Sequence, residues 1–157
     1  MTYVRDEIEQ AIKEHGIDRT RFFEVSKQSY EQIQRKIEHT FVDKSKHWDK
    51  SIHWANMGNY NPKWNCTRVP LKEWDDWMVE LSHIIPTPND AMYVLFECCK
   101  DYKPKYWLYE AFLEELTTIL CGINGPDDFY IVSKKYDWLI SLDHHDTISY
   151  VGEGLNV

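Results

Sequence analysis

The run Asp143-His144-His145-Asp146 holds the residue types that most readily do chemistry near neutral pH. Two imidazoles between two carboxylates are candidate metal ligands or an acid/base pair. Geometry argues against a shared metal, because adjacent side chains in a turn diverge. Zinc sites take histidines about four residues apart on a helix, or ligands from distant segments. Asp is also an ordinary hairpin-turn residue. The run therefore reads first as a turn and no metal centre is expected; His144, His145 and Asp146 form the alternative ligand site, with Tyr136 or Trp138 as a wall.

The second chemistry-bearing group is acidic. Asp75, Asp76 and Glu80 lie in a stretch whose local basic residue is Lys72, and Glu110 and Glu114 are four apart in a stretch that reads as one helix. Like charges at that spacing cost a helix roughly 0.2–0.5 kcal/mol per pair. A chain that keeps them either presents a solvated face or holds an acidic surface for a basic protein. In the second case complementary charge speeds association and selects the partner. Asp75, Asp76, Glu80, Glu110 and Glu114 are the partner-binding candidates.

Nucleophilic catalysis needs a Ser or Cys activated by a neighbouring base, and no GxSxG is present. The six glycines form neither a P-loop nor a GxGxxG, so no cofactor is expected. Cys98 and Cys99 are adjacent and would point to opposite faces of a strand. With Cys66 and Cys121 they match no zinc or redox spacing and read as buried, reduced thiols of a cytoplasmic protein. The expectation is a protein that is not an enzyme.

These residues must be positioned by local elements. Val4, Ile8, Ala11, Ile12 and His15 fall at helical spacing and Gly16 suits the end of a helix over 4–15. A second helix starts after Ser26, with Tyr30, Ile33, Ile37 and Phe41 as its stripe. Segment 43–66 is irregular and carries Trp48, Trp54 and Trp64, which either anchor a loop or serve an interface. Pro70 opens a predicted helix over 70–84, with Leu71, Trp74, Trp77, Met78 and Leu81 on one face and Pro86 and Pro88 after it. Ala91–Phe96 reads as a buried strand. Pro104 opens a predicted helix to residue 121, with Tyr109, Phe112, Leu113, Leu116, Ile119 and Leu120 on one face. The runs 129–133, 136–142 and 147–151 form a β-meander. The predicted class is α+β: an antiparallel sheet, made of the C-terminal meander and one inner strand, covered by helices. Trp74, Trp77, Trp107 and Trp138 are core candidates.

A chain of 157 residues suits one α+β domain over 1–157. Its parts are a helical region of about 1–42, the irregular 43–66 and an α/β core of 70–152. Charge is divided unequally. Residues 1–69 carry 12 basic and 10 acidic side chains, whereas 70–157 carry 6 and 16, within a net charge of −8. Such a surface repels nucleic acid and anionic membranes. No apolar run approaches the ~18–20 residues of a membrane span, and the N-terminus lacks the apolar core of a signal peptide. The expected location is the cytoplasm.

The stretch from Pro126 to Ile140, PDDFYIVSKKYDWLI, followed by Asp143-His-His-Asp, resembles the tail of a small uncharacterised bacterial protein family. That family is in turn similar to immunity proteins of polymorphic toxin systems: acidic, cytoplasmic, α+β and Trp-rich. The likeness covers roughly residues 90–152 and carries over no binding residue. It implies a non-enzymatic inhibitor that masks a toxin's active site. The expected function is thus a cytoplasmic protein-binding domain for a basic partner. The alternatives are a small-molecule or metal-dependent protein using the 143–146 turn, and a homodimer packing exposed aromatics.

Overall fold

The computed structural model describes residues 4–43, 60–73, 75–100, 103–124, 128–143 and 145–156. Helix α1 spans Val4–His15 and buries Val4, Ile8, Ala11 and Ile12 at the predicted spacing. It ends at Gly16, whose φ of +59° is the left-handed geometry that glycine adopts at no steric cost. Strand β1, Phe22–Glu24, precedes helix α2, Lys27–Phe41, which starts after Ser26 as expected and buries Ile37 and Phe41. Strand β2 is Thr67–Pro70 and helix α3 is Asp76–Ile84. A long hairpin follows, β3 over Met92–Lys100 and β4 over Lys103–Ala111, then helix α4 over Leu113–Gly122. The meander closes the chain: β5 Phe129–Ser133, β6 Trp138–Leu142 and β7 Thr147–Gly152.

The strands form one seven-stranded sheet in the order β1-β4-β3-β5-β6-β7-β2, with every pair antiparallel. The α+β reading holds, with the meander and inner strand β3 in place. Three strands were not in it. Residues 104–111, predicted as the first half of a helix, belong to β4. Its side chains alternate: Tyr106 and Leu108 enter the core on one face of the sheet, Tyr109 and Ala111 the core on the other. With both faces covered, the apolar run loses the alternation that marks a strand. Pro104 pairs with Cys99, and β1 reaches only Tyr109–Ala111, so among the described residues no outer strand pairs with this proline. The helix predicted over 70–84 starts only at Asp76. Pro70 instead ends β2, an edge strand against β7. Both edge strands are short, three and four residues, which limits edge-to-edge pairing with other chains.

The two sheet faces carry separate cores. Helices α1, α3 and α4 cover one, where Trp77, Leu81, Leu116 and Ile119 meet Val94, Phe96, Ile131 and Ile140. Helix α2 and residues 60–66 cover the other, where Ile37 and Phe41 meet Leu95, Leu108, Val132 and Leu139. Trp77 and Trp138 are buried as expected. Trp107 is half-buried against the first core, while Trp48, Trp54 and Trp74 lie outside the described residues. Cys121 is exposed rather than buried, and Cys66 is half-buried. Among the described residues no helix is long and apolar enough to cross a membrane.

The first core contains one polar anomaly. The Tyr109 ring packs on Phe22 at 5.1 Å and edge-on against Phe96 at 5.6 Å, and its buried hydroxyl has no hydrogen-bond partner among the described residues. A buried orphan hydroxyl costs about 1–3 kcal/mol of desolvation. Tyr109→Phe keeps the ring contacts and removes the orphan, so it is expected to stabilise the fold by about 1 kcal/mol in urea unfolding. A loss of stability would show that the hydroxyl makes a favourable interaction.

Candidate functional site

The 143–146 run is a hairpin turn between β6 and β7. The Asp143 carboxylate accepts the backbone N–H of His145 at 2.8 Å and that of Thr147 at 3.2 Å, so it builds the turn. Asp146 takes a φ of +57°, and His145 and Asp146 are exposed. His144 lies outside the described residues. Among the described residues no three His, Cys, Asp or Glu side chains come together to hold a metal ion.

The acidic candidates separate. Glu110 is in β4, on the α2 side of the sheet, and pairs with Lys134, whose Nζ lies 5.7 Å from the Tyr93 ring centre. Glu114 begins α4 on the opposite side. The expected i, i+4 repulsion is absent because a strand-to-helix junction falls between the two residues. Glu114 and Glu115 occupy the first turn of α4, where the positive end of the helix dipole favours them. Glu115 also takes a 2.9 Å hydrogen bond from Arg21, whose guanidinium lies 4.1 Å over Phe112.

Asp75, Asp76 and Glu80 stay together on α3. Asp75 is the N-cap residue and Asp76 lies in the first turn, its carboxylate accepting the Glu73 N–H at 3.0 Å. Both are therefore placed where the dipole favours acids. Val79 is three residues after Asp76 and four after Asp75, so it shares their face of the helix; it is 69% exposed, the most exposed large apolar residue of those described. None of the ion pairs among the described residues involves Asp75, Asp76 or Glu80. Helix α4 lies alongside, with Cys121 Sγ 3.5 Å from Met78 Sδ.

A cavity of about 560 Å³ opens at the far end of β6 from the histidine turn. Met92 and Trp138 form its floor; loop residues Pro86, Thr87 and Asp90 form one wall. The β5–β6 turn contributes Lys134, Lys135 and Asp137, and the tail after β7 contributes Glu153 and Gly154. Trp138, expected as a wall of the His144 and His145 site, instead lines this cavity at the opposite end of β6. Asp90, Asp137 and Glu153 could not be joined from the sequence, since they come from three loops that only the assembled sheet brings together. The glycines at 152 and 154 were the available signal.

On the α2 side a polar row crosses the sheet. Ser141 pairs in register with Tyr130 and Ser149, and Ser149 with Arg68. Tyr60 shares a 2.8 Å hydrogen bond with Ser141, Arg68 donates to Ser149 at 3.2 Å, and Tyr106 donates to Glu97 at 3.0 Å. Nearer the β1 edge, Tyr30 donates to Glu24 at 2.9 Å and accepts the Leu108 N–H at 3.1 Å, while Arg5 also bonds Glu24. That cluster ties α1, β1, α2 and β4 to one another.

Burial holds the phenols of Tyr30, Tyr60, Tyr106, Tyr109 and Tyr130 well above their usual value, and pushes Tyr136 up to about 12. An unfolded tyrosine ionises near pH 10. Because the folded values are the higher ones, this contribution to stability is complete below pH 10. It is lost as pH rises above 10, where the unfolded chain releases protons that the folded chain keeps. The expected result is cooperative alkaline unfolding with simultaneous release of several phenolic protons, seen by tyrosinate absorbance and circular dichroism. Gradual ionisation of these tyrosines in an intact fold would contradict it.

No curated protein and no solved structure matches the chain. A family model does match, over residues 1–156, nearly the full length of the sequence. The chain therefore belongs to the family of unknown function DUF6756.

Proposed function

We propose that this chain is a non-catalytic cytoplasmic protein-binding domain, an immunity-type inhibitor that receives and masks a basic partner on α3. The observation that carries the reading is the environment of Val79. A largely exposed apolar side chain is rimmed by Asp75, Asp76 and Glu80, none of them ion-paired among the described residues. Unpaired acids steer a basic protein and fix its orientation, while a central apolar contact that loses its water supplies affinity. The excess of 16 acidic over 6 basic side chains across 70–157 extends the same field. Glu114 is exposed on α4, on the same side of the sheet as α3, whereas Glu110 is held by Lys134 across it.

The test is capture of a partner from the source organism's lysate by wild type, Asp75→Lys/Glu80→Lys and Glu110→Gln. A stoichiometric basic protein is expected on wild type and on Glu110→Gln, lost at high salt and lost with the α3 double variant. Equal capture by that variant, or no captured protein, would count against the reading.

A further inference from the structure

We propose that the cavity at the C-terminal end of α3 binds an organic cation, an ammonium or guanidinium head on an apolar stem. At about 560 Å³ the space lies within the roughly 300–1,000 Å³ of small-molecule sites. The floor is apolar, from Met92 and Trp138, and suits a hydrocarbon stem. The polar lining is biased to one sign. Asp90, Asp137 and Glu153 supply three carboxylates against Lys134 and Lys135, and Lys134 is already engaged by Glu110 and the Tyr93 ring on the α2 side of the sheet. The lining thus carries three carboxylates against one lysine, Lys135, that has no ion pair among the described residues.

The helix adds to the bias. α3 ends at Ile84, and two residues later Pro86 lines the cavity, so the negative end of the helix dipole lies beside it. The walls are fastened before any ligand arrives. The Glu153 N–H donates to the Asp137 carbonyl at 2.8 Å, and the Asn156 N–H donates to the Ile84 carbonyl at 2.8 Å. The Asp137 N–H donates to Ser133 Oγ at 2.8 Å, and the Asp90 N–H to the Thr87 carbonyl at 3.0 Å. A site held open in this way spares its ligand the entropy of ordering three loops. The cavity is separate from the Asp75, Asp76 and Glu80 surface, and the inference stands whether or not that surface binds a protein.

The ammonium or guanidinium could belong to a free amine or to a Lys or Arg side chain of another protein. Titration of isotope-labelled protein with agmatine, Nα-acetyl-argininamide and Nα-acetyl-lysinamide, followed by backbone amide shifts, separates these sources. The expected result is saturable shifts confined to residues 86–92, 133–138 and 152–154. Asp90→Asn/Glu153→Gln, at two exposed positions, is expected to weaken binding tenfold or more, while Asp75→Lys/Glu80→Lys binds as wild type does. Tighter binding of agmatine assigns a free amine, and tighter binding of a capped residue assigns a protein side chain. Absence of saturable shifts, equal response to succinate, or unchanged affinity in Asp90→Asn/Glu153→Gln would overturn the proposal.

Discussion

Gly152→Ala is expected to destabilise the fold by on the order of 4 kcal/mol, the range reserved for severe substitutions. Gly152 has a φ of +108°, which side-chain-bearing residues rarely adopt, and a Cβ placed there would lie 2.2 Å from the Asp137 carbonyl oxygen and 2.5 Å from Trp138 Cα. Both obstacles are backbone, so neither can swing aside. They also sit where β7 pairs with the start of β6, Gly152 opposite Trp138. Relief of the clash would separate these strands and release the Glu153 N–H bond to Asp137 that holds the tail. Gly154 provides the control: its φ is +89°, but a Cβ there meets nothing within 4 Å. Gly154→Ala should cost about 1 kcal/mol, the conformational term alone. Urea unfolding of the two variants measures the gap, and equal small losses would show that the β6–β7 crossing is looser than described.

The second large effect concerns association. Asp75→Lys/Glu80→Lys changes the α3 surface by four charge units, next to exposed Val79. Electrostatic steering changes association rates by tenfold to a thousandfold, so a fall of at least tenfold at low ionic strength is expected for the captured basic partner. The difference should shrink as salt rises, because the screening length drops from about 10 Å at 0.1 M to about 3 Å at 1 M. Glu110→Gln should leave the rate unchanged, since that carboxylate is committed to Lys134. Its effect belongs to stability, about 1 kcal/mol or less for a partly exposed pair. Stopped-flow or biosensor kinetics across salt concentrations distinguishes the two positions. Equal slowing by both variants would mean that overall charge, not α3, guides the partner.

The elements that could be read from the sequence are those whose pattern is local. Val4, Ile8, Ala11 and Ile12 mark α1 because only one side of that helix is buried, and turn residues bracket each meander strand. β4 was unreadable for the opposite reason. Tyr106, Trp107, Leu108 and Tyr109 are apolar in succession because two helical layers sandwich them, and such a run also suits a buried helix. β1 and β2 are too short to show any period, and they are strands only because β4 and β7 pair with them. The site residues follow the same division. Asp75, Asp76 and Glu80 are neighbours in sequence and remain neighbours on α3. The link drawn between Glu110 and Glu114 depended on a helix that is not formed there, and the sheet places them on opposite sides. The cavity unites side chains of the loop before β3, the β5–β6 turn and the tail after β7, a juxtaposition that exists only after β3, β5, β6 and β7 have paired.

A basic protein docked on α3, as proposed, would cover that helix. Hydrogen exchange of the purified complex against the free chain measures this directly, because docking slows exchange where it covers the backbone and braces the helix. The expected result is added protection concentrated at residues 75–84, with residues 143–147 unchanged. Protection confined to the 143–147 turn, or to the α2 side around Glu110, would contradict it.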